Sequence, residues 1–257
     1  MNVVVCVKQV PDPNSTGQLD PSTNTLKREG VEVVLDPGDE YGIEAGLQLA
    51  ESTGGQVTVV SMGPDKALDA IRKALAMGAA KGILITDPAL PGSDALTTAK
   101  VLAAAIKRED WNLVITATES TDGYTGVVPQ MLAEMLGVPS VTFAKSIESD
   151  GSKLTVNRQT EVGYDVIEAD LPAVISVTAG VNEPRYPSLK GIMAAKSKPV
   201  DKPTLADLGL DGLGGASAGQ SITNVQPAEQ RKAGEVIEDD GTGAQRIVDF
   251  LASQKVI

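Results

Sequence analysis

The stretch ESTDGYTG, Glu119–Gly126, concentrates residues suited to holding an anion. It follows an apolar run that ends at Thr116-Ala117-Thr118 and opens a helical pattern. Backbone amides at such a helix start, helped by the helix macrodipole, can cradle a phosphate. Gly123 and Gly126 allow close backbone approach on either side of Tyr124, and Ser120, Thr121 and Thr125 offer hydroxyls beside Asp122. From the loop alone, an ordinary capped strand-to-helix turn reads the same. Neither GxGxxG nor GxxxxGK[ST] occurs, which removes the Rossmann dinucleotide fingerprint and the Walker loop.

A second candidate is Leu35-Asp36-Pro37-Gly38-Asp39-Glu40, which leads into the first helical pattern. Helix initiation, with Asp39 as N-cap, is the expected role, and an adenosine edge resting on its backbone is compatible with that role. Lys8 stands at the tip of the first apolar run, after Cys6 and Val7, where it can meet a phosphate or simply be solvated. The second run ends at Ser61-Met62-Gly63-Pro64, with Asp65 placed as an N-cap. Asp39-Glu40 and Asp239-Asp240 read as a helix start and a solvated arm rather than as metal ligands. The chain has no histidine, which excludes Ser-His and Cys-His pairs and imidazole metal sites. Its single cysteine excludes an internal disulfide and self-sufficient ligation of an iron–sulfur cluster.

These loops need a frame, and residues 1–145 supply one. Short apolar runs at Val3–Val7, Val57–Ser61, Gly82–Thr86, Leu113–Ala117 and Ser140–Phe143 read as parallel strands buried on both faces. Helical patterns at Asp39–Glu51, Asp65–Met77, Ser93–Lys107 and Thr125–Leu136 alternate with them. The alternation predicts an α/β fold, a doubly wound, mostly parallel sheet with ligands beyond the strands' carboxyl ends. Residues 11–35 interrupt the pattern and suggest an antiparallel hairpin. Lys153–Arg158, Tyr164–Glu168 and Ala173–Val177 read as three strands of an antiparallel extension. We expect residues 1–200 to form the nucleotide-binding domain. Residues 201–257, rich in Gly, Ser and acids, are expected to form an arm whose terminal helix, with Ile247, Val248, Phe250 and Leu251, embraces a partner subunit.

With 257 residues, 42% hydrophobic and 22% charged, the composition is that of an ordinary packed protein. A net charge of −12 and only 3% aromatic residues argue against nucleic-acid binding. No apolar run approaches the roughly 20 residues needed to span a bilayer, and no leader pattern opens the chain, so we expect a cytoplasmic protein without membrane insertion.

Several long segments resemble one family. VNRQTEVGYDVIEADLPAVISV, Val156–Val177, is similar to the signature of electron-transfer flavoprotein beta subunits, and NEPRYPSLKGIMAAK, Asn182–Lys196, is closer still. The opening VCVKQVPD, the internal IRKALAMGA and the ESTDG loop also resemble bacterial members, in the right order over nearly the whole chain. The resemblance implies a Rossmann-like, adenine-nucleotide-binding type of that α/β fold, in a non-catalytic electron-carrier subunit that binds AMP and pairs with an alpha subunit holding most of the FAD. Electrons would arrive from acyl-CoA dehydrogenases and related flavoenzymes and leave to electron-transfer flavoprotein–quinone oxidoreductase. It maps AMP contacts onto Cys6, Val7, Lys8, Asp36, Pro37, Gly38, Asp39 and Met62. It adds the run Ser120, Thr121, Asp122, Gly123, Tyr124, Thr125, Gly126 and Val127. Many relatives carry Q-A-I-D-x-D in that loop, so backbone rather than side-chain contacts are expected to carry over.

The resemblance further implies partner docking through Leu189, with Ile192 and Met193 beside it and Lys190, Lys196 and Lys198 around them, although a core role for these apolar residues fits the pattern as well. Gln159 stands where relatives often have an acid, so no flavin role is carried over to it. A flavin-bifurcating variant, with a second FAD in the AMP site, ranks lower because such relatives tend to carry a D-G-D-T-A-Q-V-G-P loop. A stand-alone adenine-nucleotide protein of similar fold lacks S-G-G-x-D-S and leaves the arm unexplained.

Overall fold

The alternation read from the sequence folds, in the computed structural model, into one large sheet with helices on both faces. The structure describes residues 1–257 except 16, 18, 21, 227–233, 235 and 237. Strand β1 (Val3–Cys6) is followed by β2 (Gln9–Pro11), β3 (Leu19–Asp20), β4 (Thr25–Leu26) and β5 (Val33–Leu35), then helix α1 (Pro37–Thr53). Next come β6 (Val57–Met62), α2 (Leu68–Met77), β7 (Lys81–Ile85), α3 (Ala95–Ile106), β8 (Leu113–Ala117) and α4 (Val128–Leu136). The chain continues through β9 (Ser140–Ser149), β10 (Lys153–Gln159), β11 (Tyr164–Asp170), β12 (Ala173–Val177), α5 (Leu189–Ala195), β13 (Val200–Asp201) and α6 (Gly243–Ser253).

The main sheet has nine strands in the order β11-β10-β9-β12-β8-β1-β6-β7-β13. From β9 to β13 every neighbouring pair is parallel. Its central strands, such as VVVC and LVITA, are buried along their whole length, because helices cover both faces. Val3, Val5, Ile43, Ile71 and Leu75 pack in one layer with α1 and α2. Val4, Val60, Val114, Ile106 and Leu132 pack in the other with α3 and α4. Helix α1 lies close on β1 through Gly46, where a Cβ would stand 3.0 Å from a Val5 methyl.

Two sequence expectations about the sheet are corrected. Ala173–Val177 belongs to no antiparallel extension; it is an interior parallel strand between β8 and β9. Its unbroken burial is what a strand covered on both faces requires. The antiparallel extension is the β10–β11 hairpin alone, built on the second half of β9, which runs on to Ser149 rather than stopping at Phe143. After β1, β2 pairs with β5 and β3 with β4 as two small antiparallel ribbons.

The chain divides into two units, Met1–Ile222 and Thr223–Ile257. The segment after Asp201 therefore does not leave the first unit at once. Leu205 is buried there, and Leu208, Leu210 and Leu213 pack with the α3 and α4 layer. Gly215 donates its N–H to the Ala89 carbonyl at 2.8 Å. In the second unit, α6 has Ile247, Val248 and Phe250 exposed. No helix among the described residues is long and apolar enough to cross a membrane.

Candidate functional site

The strand order reverses at β1: the chain moves outward through β6 and β7, then returns to β8 on the other side of β1. The crevice beyond the carboxyl ends of β1 and β8 is thus the topological switch point. Three loops meet there: residues 7–8 after β1, residues 35–39 at the start of α1, and residues 118–127 after β8.

Asp36 joins two of these loops. It is the N-cap of α1, with Oδ1 accepting the Gly38 N–H at 3.0 Å and Pro37 at the first helical position. Its Oδ2 accepts the Thr121 N–H at 2.8 Å and the Thr121 hydroxyl at 3.2 Å. Asp39, expected as the N-cap, lies inside the first turn instead, and its Oδ2 accepts the Lys8 backbone N–H at 2.7 Å. Pro37 is the reason for the shift: proline has no N–H to lose and fits the first helical turn, which places the cap on the residue before it. Gly38 packs so closely that a Cβ would stand 3.3 Å from the Ala117 Cβ. Asp65 caps no helix by its side chain; it lies in a 3-10 turn before α2.

The Glu119–Gly126 loop is tied down by charge. Lys8 Nζ donates to Asp122 Oδ1 at 2.6 Å and to Ser120 Oγ at 3.2 Å. The Arg28 guanidinium holds Asp122 Oδ2 at 2.5 Å and reaches the Gln9 carbonyl at 3.3 Å. Lys8 therefore pairs with Asp122 while its side chain stays 42% exposed. Arg28 was missed in the sequence because it lies in a stretch without periodicity. Its only signal was a cation near the hairpin's return.

Helix α4 starts at Val128, three residues later than Thr125, where the sequence pattern placed it, and no side chain caps it. Tyr124 and Gly126 lie at positive φ, +48° and +68°, before it. The backbone N–H groups of Thr125, Gly126, Val127 and Val128 find no acceptor among the described residues. Unpaired amides at a helix start, with left-handed residues beside them, have the chemistry to receive an anion. Gly123 is spent otherwise, donating its N–H to the Ser120 carbonyl at 3.3 Å.

Cys6, Met62 and Thr116 lie near the ends of adjacent strands on the α3 and α4 face, by the alternation that puts Val4, Val60 and Val114 there. The buried Thr116 hydroxyl has no hydrogen-bond partner among the described residues. Val7 points the other way, into the α1 layer. Burial, reinforced by the Asp39 charge, pushes the Cys6 thiol up to about 12, so it is no nucleophile at neutral pH. Burial and then the Asp36 charge raise Asp39 well above the carboxylate range, against the Lys8 N–H bond and charge. For Asp122, burial pushes upward, but the Lys8 charge and the bonds from Lys8, Arg28 and Ser120 outweigh it and hold the carboxyl low.

The second candidate region lies elsewhere on the molecule. Ser188 caps α5 by accepting the Gly191 N–H at 3.0 Å. Leu189 is 81% exposed and Met193 72%, with Ile192 half-exposed between them, so these residues are not core. Lys190 and Lys196 are exposed around them. Lys198 is not part of that ring; its Nζ donates to the Leu75 and Ala79 carbonyls at 2.8 and 2.6 Å, at the end of α2.

Comparison with known proteins gives one consistent result. The electron transfer flavoprotein domain family matches residues 23–208. An electron transfer flavoprotein subunit beta of Mycobacterium leprae is 45% identical over 264 residues, covering 100% of this chain and 99% of that protein. One from Thermoanaerobacterium thermosaccharolyticum is 39% identical, with 100% of both chains covered. A caffeyl-CoA reductase-Etf complex subunit CarD of Acetobacterium woodii is 38% identical over 99% of this chain and 97% of that protein. With full-length matches at this identity and a sheet of the expected doubly wound class, the chain belongs to the electron-transfer flavoprotein family, as a protein of its beta-subunit type.

Proposed function

We propose that this subunit binds AMP as a structural ligand at the switch-point crevice and pairs with an alpha subunit that holds most of the FAD. The observation that carries the nucleotide reading is the run of unpaired N–H groups at Thr125–Val128, which suits a phosphate. The unpartnered Thr116 hydroxyl and the backbone near Asp36–Asp39, Cys6 and Met62 suit the nucleoside. Asp122, Lys8, Arg28 and Asp36 hold the loop in shape rather than contacting phosphate. FAD, when bound, supplies the electron-carrying chemistry; this chain's own residues position and dock. The arm after residue 222 embraces the alpha subunit through α6. The exposed Leu189, Ile192 and Met193 dock flavoprotein dehydrogenases such as acyl-CoA dehydrogenases, from which electrons pass towards a quinone oxidoreductase. The setting is cytoplasmic.

Gly126→Val tests the phosphate cradle. A β-branched residue does not tolerate a φ of +68°, and a Cβ there would stand 3.3 Å from Glu119 Oε2. The variant heterodimer is expected to fold and keep FAD but to lose most of its co-purifying AMP. Full AMP retention would remove the cradle from the reading.

A further inference from the structure

The exposed run from Tyr186 to Met193 comprises the approach to α5 and most of that short helix, and its two ends are fixed to different helices. At the entry, the Arg185 guanidinium bridges two carboxylates of α1. Nε meets Glu44 Oε2 at 2.7 Å and one terminal nitrogen meets Glu44 Oε1 at 3.0 Å. The terminal nitrogens reach Glu51 at 2.6 and 3.1 Å. The Arg185 backbone N–H also reaches Glu44 Oε2 at 3.2 Å, and the Asn182 amide donates to the Tyr41 carbonyl at 3.0 Å. Glu44 is buried, and Gln48 donates to its other oxygen at 2.9 Å. Tyr41, Glu44, Gln48 and Glu51 share one face of α1 at helical spacing.

At the exit, Arg72 donates to the Ala195 and Lys198 carbonyls, the latter at 2.8 Å, and Lys198 caps the end of α2. Between them, α5 lies against α2 so closely that a Cβ at Gly191 would stand 2.4 Å from the Ala76 carbonyl oxygen. Tyr186 is 95% exposed, and Leu189 and Met193 likewise stay largely in solvent. An exposed tyrosine is of the type enriched among interface anchors. Flexible apolar side chains on a floating loop would lose affinity to ordering, whereas a segment held in place before contact does not.

We propose that Arg185, through its paired bonds to Glu44 and Glu51, is the positioning residue that presets the Tyr186–Met193 surface for a flavoprotein dehydrogenase. This rests on the docking reading above. Arginine is required because its planar fork reaches both carboxylates at once, which a lysine ammonium does not do.

The test uses the co-purified heterodimer as electron acceptor for an acyl-CoA dehydrogenase reduced by its acyl-CoA, comparing Arg185→Lys, Glu51→Gln, the double variant and Leu189→Ala. If the competent arrangement falls to about a tenth of the population, KM for the heterodimer rises about tenfold in Arg185→Lys, with kcat and AMP and FAD content unchanged. Glu51→Gln gives a smaller rise and adds nothing on top of Arg185→Lys, because it acts only through Arg185. An unchanged KM in Arg185→Lys, with KM raised in Leu189→Ala, overturns the positioning role and leaves docking intact. An unchanged KM in Leu189→Ala overturns docking itself. Should Arg185→Lys fail to fold, Glu51→Gln decides, since Glu51 is exposed; an unchanged KM there overturns the proposal.

Discussion

Asp39 carries the least comfortable charge in the crevice. Burial and the neighbouring Asp36 raise its pKa, and Asp122 adds to that push, while Lys8 opposes it. A carboxyl raised above its unfolded value contributes stability fully present below that unfolded value, about 3.9, and lost as pH rises through the folded pKa. Asp39→Asn keeps an acceptor for the Lys8 N–H and removes the charge. Its denaturant midpoint should gain on that of the native protein as pH rises from below about 3.9 to neutral, because only the native carboxyl gives up its proton over that range. A difference that does not change with pH would contradict the assignment. The same residues show what a sequence discloses at this scale. That Asp36–Asp39 begins a helix was legible, and Pro37 marked the first helical position, but two aspartates three apart left the capping one ambiguous. The grip of Arg28 on Asp122 spans 94 positions in a segment without periodicity, and no local pattern reports a contact of that kind.

At the scale of elements, the central strands were legible because a parallel strand covered on both faces must be almost wholly apolar. That same property hid the direction of β12: Ala173–Val177 has the right composition, but nothing in an apolar run says which way it pairs. The arm was read as starting at Asp201 because the composition turns to Gly and Ser, whereas four leucines spaced through residues 205–213 keep that segment on the first unit. The close seating of α5 on α2 was likewise invisible, since it depends on the missing side chain of Gly191. Gly191→Val should force the helices apart and lower stability by about 1–3 kcal/mol, read as a fall in the unfolding midpoint. An unchanged midpoint would mean that α5 is free to shift.

For the whole molecule, the proposed role is one of positioning. The chain has no histidine, its one thiol is buried and held protonated, and at the crevice Lys8 and Arg28 both pair with Asp122. What remains available is an amide cradle at one place and an apolar knob at another, on a family whose members carry electrons by flavin. The central claim is that the crevice holds AMP and not a second flavin. It is tested most directly by denaturing the co-purified heterodimer and quantifying the released nucleotides by mass spectrometry. The account predicts AMP and FAD in equal amounts, one of each per heterodimer; two FAD and no AMP, or FAD alone, would contradict it.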